Sequence, residues 1–263
     1  MSEPSILVEQ RTGYRVITLN RPDKLNAFNE AMHEALRAAI ADAEADESCR
    51  ALMITGAGKA FCAGQDLNDR LPKDGEPVVL GETLEKYYNP LVKKLRGLRF
   101  PVIAAVNGVA AGAGCNIALA CDIVIATQSA RFIQSFARIG IIPDAGGSWM
   151  LPRLVGDARA RGLALLAQDL TAEKAAEWGM IWRCVGDKAF VHETTRICEH
   201  FATAPTQGMA LIKQALNASQ FNTLEQQLDL ERQLQRAAGE TPDYAEGVRA
   251  FMEKRKPNFT GRK

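Results

Sequence analysis

Apolar runs with strand character alternate with stretches of helical spacing along the first half of the chain. Short runs that favour β-strands occur at 6–8, 14–19, 50–55, 102–106, 123–125 and 132–133. Residues 29–45, in contrast, carry apolar side chains three or four positions apart, which is the repeat of an amphipathic helix. Strands that are apolar along their whole length and alternate with helices predict an α/β domain whose strands are buried and largely parallel.

Helical patterns become dominant in the last two fifths of the chain. After the first helix, further helices are predicted at 83–98, 115–120, 158–167, 171–178, 216–238 and 244–255, with a last strand at 182–185. The chain beyond Ala189 is predicted to be helical, with breaks at Pro205 and Pro242. We therefore divide the sequence into an α/β core, residues 1–200, and a helical C-terminal region, residues 201–263.

Two turns made of small residues, at 63–65 and 112–114, stand out as candidate functional segments. The second belongs to a glycine-rich stretch, 107–114, which follows a buried strand and precedes a predicted helix. That order directs backbone N–H groups and the positive end of a helix dipole at one spot, which suits an oxyanion. Either turn alone is explained by tight packing, where only small residues fit. The pair predicts two N–H donors that share one oxyanion.

The same stretch does not fit a dinucleotide-binding loop. Its sequence, GVAAGAG, lacks the strict GxGxxG spacing, and no acid ends a following strand about 20 residues later. The nearest acid, Asp122, follows the glycine-rich stretch too closely in the sequence and is interpreted as a residue at the edge of a strand. We therefore exclude a Rossmann-type nucleotide site.

Asp144 is the strongest candidate for a catalytic side chain. It is the only carboxylate between Asp122 and Asp157, and it lies in an apolar stretch between Pro143 and the small turn 145–147. A Pro-Asp pair often simply begins a turn. An acid close to an oxyanion site, however, indicates proton transfer at the carbon next to a carbonyl, so we predict that Asp144 is the base.

Composition and charge exclude several classes of function. The chain has 32 basic and 31 acidic residues, a net charge of +1, so no basic surface for nucleic acid is predicted. There is no signal-peptide pattern at the start and no apolar run of membrane-spanning length. Six cysteines without CxxC spacing and three histidines predict reduced core thiols and no metal site. We expect a cytoplasmic protein with a polar loop at 70–82.

Five groups of residues carry a resemblance to the crotonase, or enoyl-CoA hydratase/isomerase, superfamily. They are 19–22 with 25–27, AFCAGQDL at 60–67, 101–122, GIIPDAGGSWMLPRLVG at 140–156, and FMEKRKPNF at 251–259. The resemblance implies a crotonase-type spiral of ββα units with a helical C-terminal trimerisation region. It also implies a homotrimer or a dimer of trimers, a coenzyme A thioester as the substrate, and no separate cofactor.

The resemblance also assigns roles to individual residues. The backbone N–H groups of Gln65 and Ala113 would form the oxyanion hole. Residues implied to bind coenzyme A are Lys24, Ala27, Ala63, Asp66 and Leu67, with Phe251 and Lys254 contributed by an adjoining subunit. From the residues themselves, Phe136 and Tyr88 are candidates for lining the acyl pocket, although core or loop positions are the simpler explanation.

The acidic residues at the site distinguish between the reactions that the family catalyses. Hydratases of the family carry two glutamates, and the aligned positions here hold Asn116 and Phe136, which neither activate water nor deliver a proton. Asp144 matches the single aspartate of isomerase-type members, and the resemblance is strongest to those of aerobic phenylacetate degradation. It implies conversion of ring-1,2-epoxyphenylacetyl-CoA to oxepin-CoA, and a shift of 3-enoyl-CoA to 2-enoyl-CoA. Association with other enzymes of that pathway is a further expectation.

Two alternatives to this isomerase stay open. One is another reaction of the superfamily, hydration or thioester hydrolysis, in which Asp66 activates a water molecule. Asp66 is otherwise interpreted as the cap of the segment that follows it. The other alternative is a scaffold subunit that binds acyl-CoA without converting it.

Overall fold

The computed structural model describes residues 3–70 and 79–262, so most of the loop predicted at 70–82 lies outside the described residues. The strands are Ile6–Arg11 (β1), Tyr14–Leu19 (β2), Ala51–Gly56 (β3), Ala60–Cys62 (β4), Val102–Val106 (β5), Val109–Ala111 (β6), Ile123–Thr127 (β7), Arg131–Ile133 (β8), Asp169–Thr171 (β9) and Arg183–Val185 (β10). Every strand that the sequence pattern predicted is present.

The strands form two sheets that the chain visits in alternation. One sheet has the order β1-β2-β3-β5-β7-β10, and all its neighbours are parallel except β1 and β2. The second has the order β4-β6-β8-β9, with only the last pair antiparallel. Each of β3, β5 and β7 in the first sheet is followed by a strand of the second. This alternation, with helices between the turns, is the expected spiral of ββα units.

The helices connect these turns and make up the C-terminal region. They are Glu30–Ala45 (α1), Leu80–Thr83 (α2), Asn89–Gly97 (α3), Ala113–Ala120 (α4), Gly147–Val155 (α5), Asp157–Leu166 (α6), Ala172–Glu177 (α7), Phe190–Ala202 (α8), Thr206–Ser219 (α9), Leu224–Gly239 (α10) and Pro242–Met252 (α11). Helix α1 matches its prediction, and the side chain of Asn29 caps it by accepting a hydrogen bond from the amide of Met32.

Several predicted boundaries are wrong, each for a local reason. The glycine-rich turn at 107–114 contains strand β6, and α4 begins at Ala113, two residues early. The helix predicted at 83–98 includes a π-helical turn, Leu84–Tyr88. Helix α5 was not predicted, because it begins with glycine and contains Pro152.

The C-terminal helices also differ from the prediction. The single helix expected at 216–238 is divided between α9 and α10, and the second of these begins with a capping box formed by Thr223 and Gln226. Pro242, predicted as a break between helices, occupies the first turn of α11. An N–H group at that position has no acceptor within the helix, so its absence from proline has no cost.

The central strands of the larger sheet, β3, β5 and β7, are buried on both faces, which explains their apolar sequences. Along β3, Leu52 and Ile54 belong to the main core, whereas Met53 between them faces a second core that includes Phe190 and Cys198 of α8. Side chains of successive strand residues point to opposite faces, so both faces need apolar residues.

An ion pair between a buried lysine and a partly exposed aspartate joins the C-terminal helices to the sheet. Lys213 on α9 lies 2.6 Å from the carboxylate of Asp122 and donates a hydrogen bond to the carbonyl of Phe100 (3.0 Å). The same carboxylate accepts a hydrogen bond from the amide of Val102. Burial raises the pKa of Asp122 above its ordinary value, although Lys213 opposes the shift. Asp122 is therefore an ion-pair partner of α9, a role that its position at a strand edge did not reveal.

The C-terminal tail is also attached to the core. Arg50 donates hydrogen bonds to the carbonyls of Ala204 and Phe259, and Asp243 accepts them from the amides of Thr260 and Gly261. The C-terminal tail thus packs on the α/β body, and the division of the chain at residue 200 stays a prediction.

Two further expectations concern membranes and thiols. Within residues 3–70 and 79–262, the structure has no helix of the length and apolarity that crossing a membrane requires. All six cysteines are free thiols, and five of them are buried, which confirms the prediction of reduced core cysteines.

Candidate active site

The two small-residue turns lie against each other where α4 begins. A Cβ built on Gly64 would lie 3.3 Å from the backbone nitrogen of Ala113, so the two turns are in backbone contact. Gly114 packs even more closely on Cys62, since a Cβ there would lie 2.7 Å from the sulfur. Only small residues allow this approach, which is the physical reason for their presence in both turns.

The amides of Gln65 and Ala113 both lie outside the local backbone pairing. Phe28 pairs with the first turn by donating to Gly64 O (2.7 Å) and accepting from Asp66 N (2.8 Å), a pattern that does not use the N–H of Gln65. Ala113 is the first residue of α4, where an N–H group has no acceptor within the helix. The two predicted donors therefore lie in adjoining turns, one of them at the positive end of a helix dipole.

Asp66 holds the first turn in place. Its Oδ2 accepts a hydrogen bond from Arg21 (2.9 Å), and its Oδ1 accepts bonds from the amide and the side chain of Asn68. Arg21 also donates to the carbonyl of Ala27, so one guanidinium joins both loops. Burial alone would raise the pKa of Asp66, but the hydrogen bonds from Arg21 and Asn68 outweigh it and the pKa lies below its ordinary value. These contacts support the interpretation as a cap more than activation of water.

Asp144 begins a tight turn that packs on α4. Its backbone oxygen accepts two hydrogen bonds, from the amide of Gly147 (2.8 Å) and from the side-chain Nδ2 of Asn116 (2.8 Å). Ala145, the next residue, has a φ of 47° in the left-handed region. Because Asn116 is within one helical turn of Ala113, the backbone of Asp144 is brought close to the paired glycine turns.

Both aromatic candidates for the acyl pocket contact these turns. The ring of Phe136 is buried beside Gly112, where a Cβ would lie 3.8 Å from it. Tyr88 is fully buried, and its hydroxyl donates to Oε1 of Gln65 (2.9 Å). Tyr88 therefore fixes the side chain of the residue whose amide is the predicted oxyanion donor, in addition to its place in the core.

The residues predicted to bind coenzyme A lie at or beyond the edge of the paired turns. The amide of Ala63 donates to the carbonyl of Leu25, which places the segment from Lys24 to Ala27 beside the first turn. Lys24 and Leu67 are exposed, Ala63 is half-buried and Ala27 is buried. Phe251 and Lys254 are exposed at the end of α11. Their contribution to a neighbouring subunit's site stays a prediction.

Sequence reasoning missed two residues of this region. Arg21 was noticed only as part of a motif, and its pairing with Asp66 depends on a contact between loops distant in sequence. Gln134 was not noticed, although a polar residue directly after the buried strand β8 is a signal of a buried hydrogen bond. Its Nε2 donates to Oδ1 of Asn116 (2.9 Å).

Two thiols beside the turns are expected to be unreactive. Burial raises the pKa of Cys62 and of Cys115 to about 12, so neither forms a thiolate at neutral pH. Native protein treated with iodoacetamide should leave both unmodified by peptide mass spectrometry, whereas both should react in denaturant. Rapid modification of either in the native protein would contradict this description of the site.

Comparison with known proteins identifies the fold. A model of the family described as "Enoyl-CoA hydratase/isomerase" matches residues 9–262. The chain belongs to this family, the crotonases. Over 258 residues it is 53% identical to the 1,2-epoxyphenylacetyl-CoA isomerase of Escherichia coli K12, with 98% of each chain covered. It is 48% identical over 262 residues to a protein of Rhodobacter capsulatus named "Probable enoyl-CoA hydratase", with 100% of each covered.

The solved structures agree with this membership. The crystal structure of the Bacillus anthracis enoyl-CoA hydratase superposes with a TM-score of 0.90 at 32% identity, covering 98% of this chain and 100% of that one. The protein is therefore a crotonase-family enzyme, an acyl-CoA isomerase or hydratase. Within the described ranges there is no group of three or more His, Cys, Asp or Glu side chains placed to hold a metal ion.

Proposed function

We propose that this crotonase is an acyl-CoA isomerase in which Asp144 carries a proton from one carbon of the acyl chain to another. The observation that supports this proposal is the hydrogen bond that Asn116 makes. At the position aligned with a hydratase glutamate, the chain has an amide that is fully buried and hydrogen-bonded to the backbone of Asp144. The position that would activate water thus serves to hold the remaining acid.

The proposed reaction needs one base and two hydrogen-bond donors. Asp144 removes the proton from C2 of the thioester, and the negative charge moves onto the thioester oxygen. The N–H groups of Gln65 and Ala113 stabilise that oxygen, and loss of one such donor typically raises the barrier by about 3 kcal/mol. Protonated Asp144 then returns the proton to C4 of a 3-enoyl chain. The product is the conjugated 2-enoyl thioester, with no atoms added or lost.

For the substrate we propose ring-1,2-epoxyphenylacetyl-CoA, converted to oxepin-CoA in phenylacetate degradation. The E. coli relative bears the name of this epoxide isomerase and matches almost the whole chain. The seven-membered ring forms when the C–C bond shared by the epoxide and the six-membered ring breaks, with both C–O bonds kept. Asp144 would carry the C2 proton to a ring carbon, so that no atoms are added or lost. Comparison of kcat/KM for the epoxide and for a linear 3-enoyl-CoA tests the assignment. A higher value for the epoxide supports it, and conversion of the linear substrate alone would contradict it.

Hydration is the second candidate, because the R. capsulatus relative is named as a hydratase. In this chain it would depend on Asp66, whose two carboxylate oxygens already accept hydrogen bonds from Arg21 and Asn68. Thioester hydrolysis would have the same requirement. Incorporation of solvent oxygen into the product would show either reaction. A scaffold subunit, in contrast, would bind acyl-CoA tightly and convert no isomer.

We also propose that the protein assembles as a homotrimer or a dimer of trimers. The C-terminal helices and the loop between α9 and α10 expose several large apolar side chains: Ile212, Leu216, Phe221, Leu224, Leu228 and Val248. Such surfaces on one protomer commonly mark contacts between subunits. Sedimentation velocity should show a trimer or a hexamer, and a monomer at micromolar concentration would contradict this. Cytoplasmic location and association with other pathway enzymes stay predictions.

A further inference from the structure

We propose that Asn116 and Gln134 act as a positioning pair that fixes the direction of the Asp144 side chain. This inference rests on the proposed function, because it concerns the base of the proposed proton transfer. Asn116 is fully buried in the first half of α4, and Gln134 is buried directly after β8. The two side chains connect two ββα turns of the fold to the loop that carries Asp144.

The chemistry of the three groups determines the orientation of both amides. The backbone carbonyl of Asp144 accepts and never donates, so the group of Asn116 that lies 2.8 Å from it is the NH₂. The oxygen of Asn116 then faces Gln134, whose NH₂ donates to it at 2.9 Å. The hydrogen bonds therefore run in one direction, from Gln134 through Asn116 to the peptide of Asp144.

The loop that receives this hydrogen bond is held in an unfavourable backbone conformation. Ala145 has a φ of 47° although it is not glycine, and Gly146 follows it with a φ of 80°. Such conformations persist only where the surroundings enforce them. Gly147 packs so closely on Asn116 that a Cβ there would overlap the amide group. The side chain of Asn116 is thus the surface on which the turn after Asp144 rests.

A contribution to stability does not explain why a glutamine occupies position 134. Its Oε1 is buried and has no hydrogen-bond partner among the residues that the structure describes. An unpaired buried oxygen destabilises a fold, and an apolar side chain of similar size would remove that cost. What Gln134 contributes is the donor to Asn116, which keeps the amide of Asn116 turned toward Asp144.

The test compares Asn116→Leu and Gln134→Met with wild type in the isomerisation of a 3-enoyl-CoA. Leucine keeps the branched shape of asparagine and methionine approximates the length of glutamine, and both changes remove the hydrogen bonds. We expect kcat to fall by about 10- to 100-fold for Asn116→Leu and less for Gln134→Met, because small misplacement of a catalytic group has effects of this size. KM and the Kd for phenylacetyl-CoA should stay within about twofold of wild type, since the binding residues are untouched.

A matched control is Gln128→Met, which removes an exposed amide that donates a hydrogen bond to the carboxylate of Glu173 on α7. It should leave kcat unchanged. If Asn116→Leu does not fold, Gln134→Met tests the inference instead. The unfolding midpoint of Gln134→Met should be equal to or above that of wild type, so a fall in its kcat would not reflect loss of stability. The inference is overturned if folded variants keep wild-type kcat, or if kcat and affinity fall together. If wild type itself converts no isomer, the proposed function fails instead.

Discussion

Replacement of Asp144 by asparagine should lower kcat for isomerisation by about 10²- to 10⁴-fold, the range typical of a lost general base. Asparagine has nearly the same shape but cannot take up the C2 proton at neutral pH. The hydrogen bonds from Asn116 and Gly147 go to the backbone oxygen of this residue, so the loop should keep its conformation in the variant. The rate is measured from the absorbance of the conjugated thioester, and acyl-CoA binding by calorimetry.

Binding separates loss of chemistry from loss of structure in this experiment. The Kd for a saturated acyl-CoA should stay within about twofold of wild type, because Asp144 is not expected to hold the ligand. Asp157→Asn is the control, since that acid lies on the exposed surface of α6 paired with Arg161. It should have wild-type kcat. Turnover by Asp144→Asn close to wild type would rule out Asp144 as the base.

Replacement of Lys213 by methionine should lower the free energy of unfolding by about 2–3 kcal/mol, less than the ~3–5 kcal/mol typical of a fully buried ion pair, because the side chain of Asp122 is partly exposed. Lys213 lies 2.6 Å from Asp122 and is largely buried between α9 and the sheet. Without it, the carboxylate of Asp122 stays in a site where burial already disfavours its charge. Urea unfolding followed by circular dichroism measures the change.

The exposed pair of Lys174 and Glu177 provides the comparison for this variant. Lys174→Met should change the free energy of unfolding by less than about 1 kcal/mol, as for surface ion pairs in general. The double variant Asp122→Asn with Lys213→Met should recover part of the loss, because it removes the unpaired charge. A loss below about 1 kcal/mol for Lys213→Met alone would show that the pair does not anchor α9.

Hydrophobic periodicity predicted the fold well where the pattern was long and regular. Helix α1 and the central strands of the larger sheet follow from it, because a helix with one buried face and strands with two leave distinct patterns. Strand β6 and helix α5 did not follow. The first has only three residues within a glycine-rich stretch, and the second has glycine at its start and Pro152 inside, so tertiary packing overrides local preference.

The candidate site was predictable where chemistry shows in the residue type. Asp144 and the two small turns were recognisable from the sequence, because an isolated acid and close backbone contact both need particular residues. The roles of Asn116 and Gln134 were not, since an amide in a core has no characteristic spacing and its partner is set by the fold. The absence of glutamate at position 116 indicated what the site lacks, whereas only the structure shows the hydrogen bond made there.

The most direct test of the account is the product formed from a purified 3-enoyl-CoA, followed by absorbance and by mass. We predict a conjugated 2-enoyl thioester with unchanged mass, because Asp144 moves a proton and no water is added. A product heavier by one water, without accumulation of the conjugated isomer, would contradict it. That result would mean that hydration proceeds without glutamates at positions 116 and 136, and that the isomerase assignment is wrong.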